Sequence, residues 1–323
     1  MAKNGKSGYY IGIDLGGTNM QVGVVSSELK LLSQAKKKTK AEEGLEGVMN
    51  RIVEGIVEAC GEAKVKLTDL EAIGLAAPGA VDPAEGVVLE AGNLRWTNVN
   101  ASSILQKKTG VKTYLDNDVN AAVWGENKLG AGKNAKHLLG VWLGTGIGGG
   151  LILNGELYYG PLMTAGEIGH MIAIPFNPPG ERSLEHNCSR TSVVNRIVKL
   201  IKANRKSKLT EYAEGDLEKI KSKLVAKAYE EKDELTVEVL NNAAELLGIT
   251  LGGVVTLLSI DRIVLGGGLT EAMGSNWVGL VEQHTRRFAF PDRCKQVKVV
   301  ASTLEDKAGL LGAAMIAMER HEK

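Results

Sequence analysis

Two glycine-rich segments with the same pattern constrain the fold of this chain more than any other feature. The first is Ile11–Thr18, which reads IGIDLGGT, and the second is Val141–Gly150, which reads VWLGTGIGGG. Each places a threonine and a tight glycine turn between two apolar, strand-like runs. The second segment begins roughly 130 residues after the first, which is about one domain length. The repeat predicts an α/β protein of two related halves, each opening on a β-hairpin.

Glycine turns of this kind can bind an anion, because they tolerate positive φ and present backbone N–H groups at short range. Asp14 stands just before the first turn, and a carboxylate beside a phosphate is repulsive unless a Mg²⁺ ion lies between them. A third glycine run, Gly266–Gly268, follows the strand-like run Arg262–Leu265. These features favour a nucleotide-phosphate site, although the same glycines alone would also suit plain tight hairpins.

Two common phosphate-binding motifs are excluded by their context. Gly144, Gly146 and Gly149 have the spacing of the dinucleotide fingerprint, but that motif needs a helix immediately after the turn. Leu151–Leu153 is instead β-like and leads to the hairpin dipeptide Asn154–Gly155. The chain also lacks a GxxxxGK[ST] run, so it has no P-loop.

The length of 323 residues predicts two domains, because single cores rarely grow so large. We expect an N-terminal α/β domain over residues 9–118 plus 305–321, with the closing C-terminal helix packed back on it. We expect a C-terminal α/β domain over residues 119–304, whose highly charged stretch at about 192–232 is interpreted as a solvated helical excursion. A strand is predicted at Val111–Leu115 and a helix from Ala121 to about Leu129.

The composition excludes several classes of partner. A net charge of +1 gives no global attraction to nucleic acid or to a membrane surface. No apolar run reaches the length of a membrane span, and Met1–Gly8 lacks the apolar core of a signal peptide. Cys60, Cys188 and Cys294 are far apart, which fits a reducing compartment. We therefore expect a cytoplasmic protein with no nucleic-acid or membrane partner.

Eight short segments carry a specific resemblance, from about residue 9 to residue 316. They are Asp14–Thr18, Pro78–Asp82, Asn93–Trp96, Asn117–Ala122, Leu143–Gly149, Gly166–His170, Leu265–Gly268 and Ala308–Ala314. In this order they resemble the ROK family of sugar kinases, and bacterial glucokinases in particular. The resemblance implies the two-domain actin/hexokinase-like (ribonuclease H-like) ATPase fold with an active-site cleft between the domains. It also implies a homodimer.

The resemblance assigns roles to the glycine turns, and backbone physics supports them. Asp14 would organise Mg²⁺ through water. The N–H groups of the two turns would hold the β- and γ-phosphates of ATP, and the third glycine run would leave room for the adenosine. The residues concerned are Gly16, Gly17, Thr18, Thr145 and Gly146 for the phosphates, and Gly266, Gly267 and Gly268 for the adenosine.

A general base must take the proton of the attacking sugar hydroxyl, and two aspartates compete for that role. Asp118 occupies the position of the base in the family's Asn-Asp-x-Asn-Ala-Ala motif, so the resemblance favours it. Asp116 is interpreted as a residue that caps the end of a strand. Replacing Asp118 by alanine should lower turnover by about 10²–10⁴ while ATP still binds.

The resemblance also implies which residues contact the sugar: Gly79, Asn93, Asn117, Asp118, Glu167, His170 and Glu185. Two alternatives stay open at this point. Asn93 has the residue type of an ordinary turn. Glu167 and His170 have the spacing of an exposed i,i+3 helical pair, although Gly166 and Gly169 argue against a regular helix there.

One segment departs from the family pattern. ROK kinases usually follow the Gly-His pair with a cysteine cluster that binds structural zinc, whereas residues 171–185 here read MIAIPFNPPGERSLE. Ser183 stands where the last of those cysteines would be, so we expect no zinc site. A rebuilt site from His170, His186 and Cys188 is an alternative, but structural zinc sites usually have four protein ligands.

The resulting expectation is an enzyme that uses ATP and Mg²⁺ to phosphorylate a hexose, with glucose 6-phosphate as the expected product. Alternatives are polyphosphate as the donor, or mannose, fructose, allose or an N-acetylhexosamine as the acceptor, since residue types do not fix such discrimination. A sugar-responsive transcriptional repressor of the same family is the least favoured alternative. The first predicted strand begins at about Tyr9, and no helix-turn-helix pattern or basic patch is evident.

Overall fold

The computed structural model describes residues 8–323, and they form two compact units. The first unit consists of residues 8–130, Tyr159–Ala165 and Asp306–Lys323. The second consists of Ala131–Tyr158 and Gly166–Glu305. These ranges differ from the sequence-based boundaries mainly in placing residues 119–130 and 159–165 with the first unit.

The first unit begins with a hairpin, as the sequence pattern predicts. Its elements up to residue 130 are β1 (Tyr9–Leu15), β2 (Asn19–Ser26), β3 (Leu31–Lys38), α1 (Gly44–Ala63), β4 (Leu70–Ala77), β5 (Ala80–Asp82), β6 (Val87–Ala91), β7 (Trp96–Val99), α2 (Ala101–Thr109), β8 (Thr113–Asn117) and α3 (Asp118–Leu129). The main sheet has the strand order β3-β2-β1-β4-β8, and β5, β6 and β7 form a small separate sheet.

The second unit repeats this arrangement. Its elements are β9 (Leu138–Leu143), β10 (Ile147–Leu153), β11 (Glu156–Leu157), α4 (Leu184–Cys188), α5 (Arg190–Lys202), α6 (Leu209–Tyr212), α7 (Ser222–Glu230), α8 (Glu234–Leu258), β12 (Arg262–Gly266), α9 (Gly268–Met273), α10 (Ser275–Phe288) and β13 (Lys298–Ala301). The sheet order is β11-β10-β9-β12-β13, so both sheets have an antiparallel hairpin on one side and parallel strands on the other.

The last helix, α11 (Ala308–Glu322), returns to the first unit, where it packs on α3, β1 and β4. Its backbone lies directly on the sheet, because a side chain at Gly12 or Gly74 would collide with the carbonyl oxygen of Leu310 or Ala313. Helix α3 begins at Asp118 rather than at Ala121, three residues earlier than the sequence pattern predicts.

The charged stretch 192–232 is helical, but it is not simply solvated. The inward faces of α5, α6 and α7 bury Val193, Ile197, Leu209 and Val225 in the core of the second unit. Among residues 8–323, only α8 is long and apolar enough to cross a membrane by length and composition, and half of its most apolar stretch is buried. Leu240, Leu247 and Leu251 of α8 belong to the core of this unit.

Candidate active site

The glycine turn of the first unit joins β1 to β2 and is fixed by its own backbone and by one threonine. The N–H of Gly16 donates to the carbonyl of Asn19 at 3.0 Å. The Thr39 hydroxyl donates to the carbonyl of Gly16 at 2.6 Å, and the Thr39 N–H donates to the carbonyl of Thr18 at 2.9 Å. The N–H of Gly16 is therefore used inside the turn, and Gly17 and Thr18 form its tip.

Asp14 is the partly exposed carboxylate near the end of β1. Burial and the negative charge of Asp306 raise its pKa from 3.8 to about 6. A Cβ atom on Gly309 would come within 2.8 Å of the Asp14 carboxyl group, so the start of α11 packs directly against Asp14. A carboxylate whose ionisation is opposed by burial and by a second carboxylate is one that a hard dication stabilises, so these residues fit Mg²⁺.

Asn93 lies against the tip of the same turn. A Cβ atom on Gly17 would come within 2.9 Å of the Asn93 amide nitrogen. Asn93 is also part of a backbone turn, in which the N–H of Leu94 donates to the carbonyl of Ala91 at 3.1 Å. Asn93 is therefore a turn residue whose amide lies beside the glycine tip, and its contact with a sugar stays a prediction.

The junction of β8 and α3 carries Asn117 and Asp118. The Asn117 side-chain oxygen accepts the N–H groups of Val119 and Asn120 at 2.8 and 3.0 Å, which caps the helix. Its amide nitrogen donates to the carbonyl of Gly79 at 2.9 Å. This cap is why α3 begins at Asp118, whose carboxylate is partly exposed and accepts the N–H of Val119 at 2.9 Å.

Asp116 differs sharply from Asp118 because it is only 2% exposed. Its Oδ2 atom accepts the Tyr159 hydroxyl and an Nη2 donor of Arg320, each at 2.6 Å. Burial raises the pKa of Asp116, and the Arg320 charge and the Tyr159 hydrogen bond oppose that rise. An enclosed carboxylate with these partners is poorly placed to meet a substrate, which favours Asp118 as the base.

The glycine turn of the second unit joins β9 to β10 and contacts Glu185. The N–H of Gly144 donates to the carbonyl of Gly146 at 2.9 Å, and Thr145 is exposed at the tip. The Oε2 atom of Glu185 accepts the N–H of Ile147 at 2.8 Å. A Cβ atom at Gly146 would displace that carboxylate, so the glycine leaves room for this hydrogen bond.

Glu167 and His170 lie on a single 3₁₀ turn rather than on a regular surface helix. Their side chains approach to 3.8 Å, and the His170 side chain is 71% exposed. Gly166, with φ of +100°, and Gly169 lie directly on the backbone of β10, where a side chain would collide with carbonyl oxygens. This close packing accounts for the two glycines that flank Glu167 and Ile168.

Residues 171–185 are closed by backbone hydrogen bonds. The N–H of Ala173 donates to the carbonyl of Arg182 at 2.9 Å, and that of Leu184 donates to Met171 at 2.9 Å. The Ser183 hydroxyl caps α4 and lies 2.6 Å from Nδ1 of His186. Within residues 8–323, no group of three or more His, Cys, Asp or Glu side chains is placed to hold a metal ion.

Cys188 has the properties of a core residue. Burial raises its pKa to about 12, so without a metal the sulfur is a thiol at neutral pH. The Sγ atom lies 3.4 Å from the carbonyl of Ala243, to which it donates.

Two of the three glycines predicted to face the adenosine are required by packing on β9. A side chain at Gly266 would collide with the Trp142 ring, and one at Gly267, where φ is +85°, would meet the carbonyl of Leu143 at 2.6 Å. Gly268 has only ordinary contacts, with the Arg190 side chain nearest at 3.5 Å. Arg190 is therefore the side chain nearest to Gly268, a neighbour that the sequence patterns do not reveal.

Comparison with known proteins decides the family. The model of the ROK family matches residues 10–320. The glucokinase of Thermotoga maritima is 32% identical over 314 residues, which cover 96% of this chain and 97% of that enzyme. The chain belongs to the ROK family.

Solved ROK structures extend this likeness to the whole fold. The ROK family glucokinase from Streptomyces griseus, solved with glucose and AMPPNP, has a TM-score of 0.85 at 28% identity and covers 97% of this chain and 100% of its own. The ROK hexokinase from Thermus thermophilus has a TM-score of 0.79 at 28% identity and covers 97% and 99%. This ROK protein therefore has the actin/hexokinase-like fold that the sequence motifs imply.

Proposed function

We propose that this ROK protein transfers the terminal phosphoryl group of ATP to a hexose, with glucose as the preferred acceptor and glucose 6-phosphate as the product. The class of activity, a sugar kinase, follows from membership of the family and from likeness to glucokinases along nearly the whole chain. The choice of hexose, the donor and the residue roles are our proposals.

The observation that carries the proposal is the contact between Asn93 and Gly17. The Asn93 amide can hydrogen-bond to sugar hydroxyls, and it lies against Gly17, at the tip of the turn proposed to bind phosphate. Phosphoryl transfer depends mainly on placing the donor and acceptor together, so such a neighbourhood is what the reaction requires. The first unit also contains Asp14 and Asp118, the candidate metal-organising residue and the candidate base.

In this proposal Asp118 accepts the proton of the attacking hydroxyl as that oxygen bonds to the γ-phosphorus. The bond from the γ-phosphorus to the bridging oxygen breaks, and ADP leaves. Backbone N–H groups at Gly17, Thr18, Thr145 and Gly146 stabilise charge on the phosphate oxygens. Asp14 would hold Mg²⁺ through water, and the ion would neutralise charge on the phosphates.

The remaining assignments concern recognition. We propose that Asn93, Glu167, His170 and Glu185 bind the sugar hydroxyls. Asn117 and Gly79 contribute by holding the segment that carries Asp118, since the Asn117 amide is engaged with Gly79 and with the start of α3. The Gly268 region, with Arg190 beside it, is proposed to receive the adenosine.

A coupled assay of ADP release with Mg·ATP and a panel of glucose, mannose, fructose, allose and N-acetylhexosamines tests the proposal. We expect the highest kcat/KM with glucose. A second series replaces ATP by polyphosphate, with formation of glucose 6-phosphate as the readout. Turnover only with polyphosphate would refute the ATP assignment, and turnover with none of these sugars would refute the hexose assignment.

The cytoplasmic location and the homodimer remain predictions. Light scattering of the purified protein measures the oligomeric state directly, and a monomer at micromolar concentration would contradict the dimer.

A further inference from the structure

A cluster of three side chains, in which Asp116 is buried and Tyr159 and Arg320 are partly exposed, begins two residues before the candidate base in the chain. Asp116, at the end of β8, meets Tyr159, which belongs to the separate segment Tyr159–Ala165, and Arg320, near the end of α11. The Arg320 Nη2 atom donates to the Asp116 carboxylate at 2.6 Å and to the Tyr159 hydroxyl at 2.9 Å. Three distant parts of the chain therefore meet at one carboxylate of the first unit.

The cluster forms hydrogen bonds to the backbone before and after Asp116, at the junction of β8 and α3. The Oδ1 atom of Asp116 accepts the N–H of Asn117 at 2.9 Å and approaches the Asn120 amide nitrogen at 3.3 Å. The second Arg320 donor, Nη1, reaches the carbonyl of Leu115 at 2.8 Å. The residues from 115 to 120 are thus held by bonds with defined directions, and Asp118 lies in the middle of this span.

A purely stabilising role would not need charged groups here. Burying an ion pair usually contributes little more to stability than well-packed apolar side chains of the same volume. An ion pair with several hydrogen bonds does fix the orientation of its side chains, because each hydrogen bond restricts an angle as well as a distance. The Tyr159 hydroxyl adds a third fixed direction, and burial raises its pKa so that it remains a donor.

We propose that Arg320 and Tyr159 are positioning residues, which act through Asp116 to fix Asn117 and Asp118 in the geometry needed for proton transfer. This inference rests on the proposed kinase function. Misplacing a reacting group by about 1 Å costs roughly 10²-fold in rate, so loosening the junction should affect turnover more than donor binding.

Tyr159→Phe and Arg320→Lys test the inference without removing a large side chain. Tyr159→Phe deletes one hydroxyl donor, and Arg320→Lys keeps the charge but loses the planar fork that reaches two acceptors. We expect kcat for glucose to fall about tenfold in each variant, while the Kd for Mg·ATP stays within about twofold. We also expect amide hydrogen exchange of residues 117–121 to become faster.

His321→Ala is the matched control. His321 lies next to Arg320 on α11, but it pairs with Glu71 at 3.8 Å and packs edge-on against the Tyr114 ring rather than on Asp116. It should leave kcat and exchange at residues 117–121 unchanged. The inference is overturned if both test variants keep kcat and exchange within twofold of the wild type, or if their turnover falls only in proportion to Mg·ATP binding.

The exchange measurement separates this inference from the proposed function. A wild-type protein without hexose kinase activity would refute the function, while exchange at residues 117–121 would still report whether Arg320 and Tyr159 hold the junction. Normal wild-type turnover with unaffected variants would refute the positioning role alone.

Discussion

Each unit has a three-residue glycine turn between its first two strands, and a different carboxylate lies beside each turn. In the first unit that carboxylate is Asp14, which comes from the strand leading into the turn, and burial and Asp306 raise its pKa to about 6. In the second unit it is Glu185, which lies 38 residues beyond Ile147 on the short helix α4 and accepts the backbone N–H of Ile147. The surroundings of Asp14 disfavour its charged form, whereas Glu185 accepts a hydrogen bond from the strand that follows its turn.

The difference indicates two uses of one local structure. A carboxylate with a raised pKa gains from a bound cation, so the first turn is suited to a metal-assisted phosphate site. A carboxylate that accepts a backbone N–H fixes the shape of its turn instead. Both turns are proposed to bind phosphate, but only the first has a carboxylate suited to a cation, because the one beside the second turn comes from α4 and accepts an N–H of that turn's strand.

Among the variants that test this comparison, Asp14→Asn should lower turnover most. It removes the negative charge of the side chain and keeps its size and shape. Turnover should fall by about 10²–10⁴, since a bound metal supplies several kcal/mol of charge stabilisation. Stability should rise at neutral pH. Because the pKa of Asp14 is raised in the folded protein, the stability due to its neutral form is complete below about pH 4 and is lost as the pH rises through about 6.

The rise in this pKa from 3.8 to about 6 corresponds to about 3 kcal/mol. Urea unfolding without metal should therefore find the variant more stable by up to about that amount at pH 7.5, and by only about 0.5 kcal/mol at pH 4. Asp292→Asn, which alters an exposed carboxylate paired with Lys295, is the control and should show no such gain. A variant less stable than the wild type at pH 7.5 would contradict the role given to Asp14.

A smaller effect is expected at Glu185. Glu185→Ala leaves the N–H of Ile147 without its acceptor and should cost about 1–2 kcal/mol in the free energy of unfolding. Glu185→Gln keeps an acceptor oxygen, so its Tm should stay near that of the wild type. Its KM for glucose should still rise about tenfold if Glu185 makes the proposed charge-assisted bond to the sugar, because the amide cannot replace that bond. Equal losses of Tm in both variants would contradict the role of the hydrogen bond.

Two neighbouring glycines of the second turn offer a matched pair. A methyl group at Gly146 collides with the Glu185 carboxylate, whereas one at Gly144 meets nothing within 4 Å. Gly146→Ala should therefore displace the carboxylate and cost about as much as the lost bond to Ile147, about 1–2 kcal/mol, and Gly144→Ala should be close to neutral. Thermal unfolding measures both. Adding Glu185→Ala to Gly146→Ala should cause little further loss, and simple additivity of the two effects would argue against their contact.

The smallest effect is expected from a zinc chelator, because we expect no zinc site. Residues 171–185, where other ROK kinases have their zinc cluster, are held together by backbone hydrogen bonds such as that from Ala173 to Arg182. A zinc-selective chelator, added with Mg²⁺ in excess, should leave Tm and kcat unchanged. Stoichiometric zinc in the purified protein, or a fall in Tm on chelation, would contradict this expectation.

Structural elements that depend on neighbouring residues, such as hairpins and helices, could be predicted from the sequence. The two hairpins follow from apolar runs around glycine turns, and the helix after the Asn-Asp pair follows from its spacing. Its start at Asp118 was missed, although Asn117 is a strong capping residue. The buried faces of the charged helices were also missed, although Val193 and Ile197 have helical spacing that could have indicated them.

The parts that sequence could not predict depend on contacts between distant residues. Arg320 lies 204 residues from Asp116, and nothing in the residue types near either position identifies the other as its partner. The contact of Asn93 with Gly17 depends on the path of the chain through the small sheet of β5, β6 and β7. Motif spacing identifies which residues to consider, but the fold decides which of them meet.

The most direct test of the central claim measures glucose 6-phosphate formation from Mg·ATP and glucose by the wild type and by Asp118→Asn. We predict turnover by the wild type, and a loss of about 10²–10⁴ in kcat for the variant at an unchanged Kd for Mg·ATP. A variant whose kcat stays within a few-fold of the wild type would contradict the assignment of Asp118 as the base.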